Sequence, residues 1–377
     1  MSSPKDSILP RLRSLALVAL LISSAALISS CSELGYYLQA AGGHMQVIAH
    51  REPIADLLTQ ADTPPELKEK LTTIRNIRRF ASDDLGLPEN GSYQSYVALD
   101  RPYVVWNVVA TPEFSLTPRT WCFPIAGCVS YRGYFNRQDA EEFAAGLRQE
   151  GYDTIVSGVP AYSTLSWFDD PALSTFSSWP TSSVARLIFH ELAHQKLYLP
   201  DSSAFNESFA TAVELTGTER WLSRFGSDAD RQQHQLRLER EQQFHALTAV
   251  TRQQLEDLYR SKQGSTQKKQ NKERIFTALK EDYQQLKEQW GGYSGYDRWF
   301  DTINNAKFAA INTYHRWVPA FRQILKDADD DLLIFYRHCA ELSRQSDAER
   351  TRLLEQLITP QLDAEAPAAP AARERSS

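Results

Sequence analysis

Two histidines four residues apart, Phe189-His190-Glu191-Leu192-Ala193-His194, followed by Asn206-Glu207-Ser208-Phe209-Ala210, narrow what this chain can fold into more than any other feature. Helix positions four apart share a face, so His190 and His194 can turn two imidazole nitrogens toward one metal ion. Glu191 stands beside the first ligand, where its carboxylate reaches a water at the ion rather than the ion itself. Pro180-Thr181-Ser182-Ser183 supplies turn and capping chemistry ahead of Val184, Leu187, Ile188, Leu192 and Leu197, an apolar set at mostly helical spacing. Pro200 stops that helix. Asp201-Ser202-Ser203 then offers capping oxygens to a second helix carrying Phe205, Phe209, Ala212, Val213 and Leu215. Twelve residues lie between His194 and Glu207, enough for a tight turn and too few for another domain. The second helix therefore folds back and brings a third ligand. Glu207 and Glu214 are seven apart and share a face, so geometry alone leaves both open. Glu207 is preferred because it lies nearer the turn, which leaves Glu214 as a supporting partner or a substrate contact. Three protein ligands keep one position for water, which separates a catalytic zinc site from a closed structural one.

HELAH followed by NESFA resembles the gluzincin arrangement, in which the glutamate of an NEGFA-like segment is the third zinc ligand. Beyond the motif, most of the chain resembles a bacterial family of predicted zinc-dependent aminopeptidases, many of them lipoproteins. The pieces that carry this are GYYLQAAGGHMQVI at 35–48, WCFPIAGCVSYRGYF at 121–135, GVPAYSTLSWFDDP at 158–171, HELAHQKLY, NESFATAVE, GYDRWF at 295–300 and NNAKFAAINTYHRWVPAF at 304–321. The resemblance implies a zincin-like metallopeptidase with one Zn2+, acting on a peptide or protein substrate. It also implies an edge strand that aligns the peptide, for which 158–164 is the candidate; Pro160 suits an edge rather than a central strand. Two departures from the better-known gluzincin aminopeptidases matter: the spacing from HExxH to the glutamate is shorter, and no GAMEN-like segment is present to hold a free amino terminus. Amino- and endopeptidase action both stay open.

The first thirty residues read as an export signal. Lys5, Arg11 and Arg13 form a positive start, and the apolar run from Leu15 to Ile28 is short for a membrane span. Ile28-Ser29-Ser30-Cys31 resembles a bacterial lipobox, which makes Cys31 the lipidated first residue of the mature chain, held stably on a membrane by its acyl groups. Ser32 rather than Asp follows, so the expected place is the outer membrane, facing the periplasm. Export also fits Cys122 and Cys128, expected to pair across Pro124 and Gly127 and to fix a loop presenting Tyr131, Arg132 and Tyr134. Cys339 is left over as a small buried hydrophobe. At a formal charge of −6 nothing suggests a nucleic-acid footprint, and no nucleic-acid partner is expected.

The fold class expected is α+β, mainly helical, with a small N-terminal sheet and a helical hairpin arm. Residues 1–30 are the signal, 31–225 the catalytic region, 226–290 the charged hairpin, 291–358 a helical region completing the site, and 359–377 a disordered tail. Within the catalytic region, 35–82 and 137–150 read as helix, and 93–98, 103–110 and 154–157 as strand. In the hairpin, Ile275, Leu279, Tyr283, Leu286 and Trp290 form one apolar stripe. Its basic patch, Lys268, Lys269, Lys272 and Arg274, reads as a solvated tip, with a partner-binding arm or a lipid-headgroup contact as the alternative.

In the chemistry expected, Glu191 takes a proton from water and hands it to the departing amine. The oxyanion needs a further donor. Tyr314 and His315 are the first candidates, from the family-like segment downstream, and Tyr296 and Tyr162 come next. The principal reading is a membrane-anchored zinc peptidase. The alternatives are an endopeptidase for envelope proteins, and a non-catalytic assembly or chaperone lipoprotein that keeps the scaffold and holds a partner through the arm.

Overall fold

The structure is a computed structural model and describes residues 34–364 apart from 124–126 and 166, with the side chains of 312–315 and 359–364 also outside the description. The chain begins with helix α1 (34–49), followed by β1 (Glu52–Pro53), α2 (Ile54–Thr59) and α3 (Pro65–Asp83). A mixed stretch comes next: β2 (Ser95–Val97), β3 (Val105–Pro112), β4 (Trp121–Phe123), β5 (Gly127–Val129), β6 (Arg132–Tyr134), α4 (Arg137–Gln149), β7 (Tyr152–Val159) and β8 (Ala172–Leu173). Among the described residues the elements after it are all helices: α5 (Ser174–Ser177), α6 (Thr181–Lys196), α7 (Ser203–Phe225), α8 (Asp228–Arg260), α9 (Ser265–Gln289), α10 (Asp297–Asp301), α11 (Asn305–His315), α12 (Val318–Asp327), α13 (Leu332–Ser343) and α14 (Asp347–Ala364). The class is α+β and mainly helical, as expected. No helix among the described residues is long and apolar enough to cross a membrane.

The strands form three small sheets instead of one. In the first, β2 pairs antiparallel with β1 and parallel with β8; in the second, β3 lies between β6 and β7; the third is the β4–β5 hairpin. The expected strand at 154–157 is longer, because all eight residues of β3 find partners on β7, from Val105 opposite Val159 to Pro112 opposite Tyr152. Of the rim segment 158–164, Gly158 and Val159 belong to β7, at the edge of its sheet, while 160–164 forms no strand. Helix α4 covers one face of the second sheet: Ala140, Ala144 and Leu147 pack in one cluster with Val108, Ala110 and Tyr134.

The main core is built around the antiparallel pair α6 and α7. The first buries Val184, Ala185, Ile188, Phe189 and Leu192; the second buries Phe205, Phe209, Val213 and Trp221, with Phe321 and Phe335 packed over them. Each large apolar side chain fully buried in this way contributes about 1.5–3 kcal/mol. Close approach of the two helices needs Gly217, because a Cβ there would stand 2.8 Å from the Phe189 ring and 2.7 Å from Leu85. The capping expected from side chains is absent at both helices: Pro180 and Ser202 are the N-caps, and neither side chain caps. The turn between them is closed by Asn206 instead, whose amide accepts from Leu199 N and donates to Leu199 O, both at 2.8 Å.

The arm is the antiparallel pair α8 and α9, and it flanks the molecule. Here the structure corrects part of the reading of the basic patch as a solvated tip. Lys272 reaches Asp153 of β7 at 2.6 Å and the Glu113 carbonyl at 3.0 Å, Lys269 pairs with Glu113 at 2.9 Å, and Lys268 donates to the Tyr259 carbonyl. Lys269 and Lys272 tie the arm to the end of the β3–β7 ladder, while Lys268 bonds within the arm and Arg274 stays exposed. At the C-terminus, α14 continues through Pro360 to Ala364, past the point where the tail was expected to begin. The tail from 365, like the signal and Cys31, lies outside the described residues.

Candidate active site

Helix α6 places His190 and His194 one turn apart, and the turn closed by Asn206 brings Glu207, in the first turns of α7, against them. His190 Nε2 lies 3.1 Å from His194 Nε2 and 3.2 Å from Glu207 Oε2, and His194 Nε2 lies 3.6 Å from the same oxygen. Among the described residues these three form the one cluster of His, Cys, Asp or Glu side chains able to hold a metal ion. The fit can be checked by size. Zinc bonds of about 2.0–2.1 Å at the tetrahedral angle put neighbouring ligand atoms about 3.3 Å apart. The three separations bracket that edge. Two neutral ring nitrogens facing one another at 3.1 Å repel unless a proton or a cation lies between them, so the donor set suits a cation.

Glu214 is close by in a different role. Its Oε2 accepts from His190 Nδ1 at 2.9 Å, which turns the Nε2 side of that ring toward His194 and Glu207. Its Oε1 accepts from Arg186, and the Arg186 guanidinium continues to Glu241 of α8 at 2.8 Å. A partly buried chain of charges therefore runs from the cluster to α8 of the arm, and it fixes which nitrogen of His190 is available. Burial works against ionisation of Glu207 and Glu214. The neighbouring charges outweigh it, His194 and His190 for Glu207 and Arg186 and His190 for Glu214, and hold both carboxyls at about 2. The same contacts raise His190 although burial opposes its charge. Glu191 is raised above the ordinary carboxylate range by burial, with the two histidines opposing and Glu207 and Glu214 adding to the rise. That direction suits a base.

Beside Glu191 lies a polar layer. Asp170 accepts from Thr164 N and Oγ1 and from Gln195 Nε2, and Gln195 also donates to Ser92. Burial nevertheless raises the Asp170 carboxyl to about 6, with Glu191 among the charges that add to the rise.

The disulfide Cys122–Cys128 is formed, across directly opposed positions of β4 and β5. Its hairpin docks on the turn between the two helices: Asp201 Oδ1 accepts from Cys128 N at 2.6 Å, and Gly127, at φ +70°, leaves room for Asp201 N, which a Cβ would meet at 2.8 Å. Just beyond, the half-buried Tyr131 has its hydroxyl within electrostatic reach of Glu207, Tyr198 and Glu191. Burial first, then those neighbours, push it up, so it keeps its proton as a donor. Tyr198, pushed up by burial and Glu207, sits edge-on to His194 at 6.3 Å. The sequence placed Tyr131 on the constrained loop without a role in the chemistry, and Tyr198 was not singled out. The signal for Tyr131 was the constrained loop that presents it; Tyr198 lay in plain view four residues after His194.

The other site residues are placed as follows. Tyr162 gives its hydroxyl to a 2.7 Å hydrogen bond with His44 Nδ1 on α1 and packs edge-on against Phe135. Tyr296 stacks on Phe244 at 4.5 Å in the aromatic cluster at the base of the arm. Tyr314 and His315 end α11, which packs against α7, and just past them Trp317 N donates to Ser208 Oγ beside Glu207. Their side chains lie outside the described residues.

No curated protein and no solved structure matches the chain. The profile of the family described as "Putative aminopeptidase" matches residues 35–354 and so spans α1, the disulfide hairpin, both ligand-bearing helices and the arm. With most of its length matched and its chemistry-bearing residues inside the match, the chain belongs to that aminopeptidase family.

Proposed function

We propose that the protein is a zinc metallopeptidase, an aminopeptidase in its principal action, tied to the bacterial envelope through Cys31 and facing the periplasm. The observation that carries this reading is the convergence of His190 Nε2, His194 Nε2 and Glu207 Oε2 at near-tetrahedral separations with Glu191 one residue from the first ligand. His190, His194 and Glu207 would hold the ion, which would supply a lowered pKa for water and polarisation of the scissile carbonyl. Glu191, with its raised carboxyl, accepts the proton of the attacking water and delivers it to the leaving amine. Glu214 and Arg186 hold His190 in one tautomer throughout. Tyr131 donates to the oxygen that becomes negative when the carbonyl is attacked, and Tyr198 flanks it.

The test combines metal content with turnover. Purified wild type should carry one zinc per chain and hydrolyse peptides; Glu191→Gln should keep the zinc and lose activity by about 10²–10⁴-fold. Hydrolysis confined to peptides with a free amino terminus supports the aminopeptidase, and cleavage of N-acetylated peptides moves the reading to an endopeptidase. A zinc-loaded protein without turnover on either, and no cellular difference between wild type and Glu191→Gln, would leave a scaffold that holds a partner and overturn the proposal.

A further inference from the structure

Helix α1 carries no Asp, Glu, Lys or Arg anywhere in residues 34–49. One face of it is fastened to the molecule. The Arg132 guanidinium lies over the Tyr36 ring at 3.9 Å, Gln39 bonds to Phe135 N and Gly133 O, and Val47 is in the main core. Its other face is apolar and bare. Leu34, Tyr37, Leu38 and Met45 are between 42 and 64 % exposed. Beside them, through Phe168 packed on His44 at 4.7 Å, stand Trp167 and Phe168, at 65 and 47 %. These six are half of the twelve large hydrophobic side chains exposed among the described residues, gathered on one side of the molecule. Apolar surface concentrated in this way marks a place of contact.

What covers it follows from the chain just before it. Only Ser32 and Glu33 separate Cys31 from Leu34, and three residues reach at most about 10–11 Å when fully extended. A helix tied so closely to acylated cysteine has its first turn at the headgroup layer, and its 16 residues extend about 24 Å from there. We propose that the bare face of α1, with Trp167 and Phe168, lies in the interfacial layer of the bilayer and fixes the catalytic body against it, a proposal that rests on the anchoring through Cys31. Leucines and methionine enter the acyl boundary, and the tryptophan and tyrosine take the interfacial level. Because the chain is acidic overall, the contact is apolar and does not depend on anionic lipid.

The test uses the full-length lipidated protein in phosphatidylcholine vesicles with brominated acyl chains, reading tryptophan fluorescence. Wild type should be quenched, Trp167→Phe should lose about half or more of the quenchable signal, and Leu34→Gln/Leu38→Gln/Met45→Gln should lower quenching about twofold or more, with added phosphatidylglycerol changing neither. Short-peptide hydrolysis should be the same in all three proteins. Membrane-bound protein with equal quenching in wild type and Trp167→Phe would overturn the proposal. So would efficient crosslinking of Met45→Cys between two copies, which would put a second chain on this face. If wild type is recovered from cells in the soluble fraction, the anchoring reading fails; the same vesicle measurement on that form then decides whether α1 seeks the bilayer unaided.

Discussion

Glu207 and Glu214 stand on one face of one helix, yet they do different work on the same imidazole. The first faces His190 Nε2 and the second faces Nδ1, so one shares the ligand side and the other sets the tautomer. Both carboxyls are held at about 2, against an ordinary 4.5, and the sign of the consequence follows from linkage. The stabilisation they give is complete above the ordinary value and is lost as pH falls from about 4.5 toward 2. His190 acts the other way: its share is complete below its ordinary 6.5 and disappears as pH rises through its raised value. After chelation, the urea midpoint should fall steadily on acidification below about 4.5, and a flat midpoint over that window would contradict these pairings. Tyr131 gives the second prediction at this scale. Its hydroxyl stays protonated and faces carboxylates, so Tyr131→Phe should lower kcat by about 10²–10³ while KM, zinc content and melting temperature stay near wild type. A fall in zinc content instead would make it a structural support of the cluster.

The element that sets Tyr131 is the β4–β5 hairpin, held by the Cys122–Cys128 disulfide and by Asp201, which accepts from the Cys128 amide. A loop this short gives a modest entropic gain, about 2 kcal/mol in the chain-entropy treatment. Cys122→Ser/Cys128→Ser should therefore lower unfolding stability by about that amount in denaturant, and lower kcat more than zinc content, because the loop loses a constraint and the ligands do not. Equal turnover in wild type and the double variant would separate the hairpin from the chemistry. The helices α6 and α7 were legible as elements from their apolar spacing, since Val184, Ile188, Leu192 and then Phe205, Phe209, Val213 are buried at that spacing. Their caps were not. Serine and threonine side chains at a helix start compete with water and with the chain's own carbonyls, and here Pro180 O accepts from Ser183 N and Val184 N, and Ser202 O from Asn206 N.

Across the whole molecule, α6 and α7 are enclosed by α3, α11 and α12, and the arm folds back until Lys272 meets Asp153. That contact joins residues 119 apart in sequence, and a run of lysines read locally carries no sign of it. Residue spacing alone determined the histidine pair on one helix face, the second helix returning with a carboxylate, the cysteine pair across a six-residue separation and the largely helical character, because each depends on contacts within a few turns of chain. The tertiary structure decided which glutamate faces both ring nitrogens of the pair, that Tyr131 comes within electrostatic reach of Glu207 across a separation of 76 positions, that Lys269 and Lys272 are docked, and that α1 keeps one apolar face bare. Those outcomes depend on how distant surfaces fit and on where buried charge finds its partner, and neither is written in local periodicity.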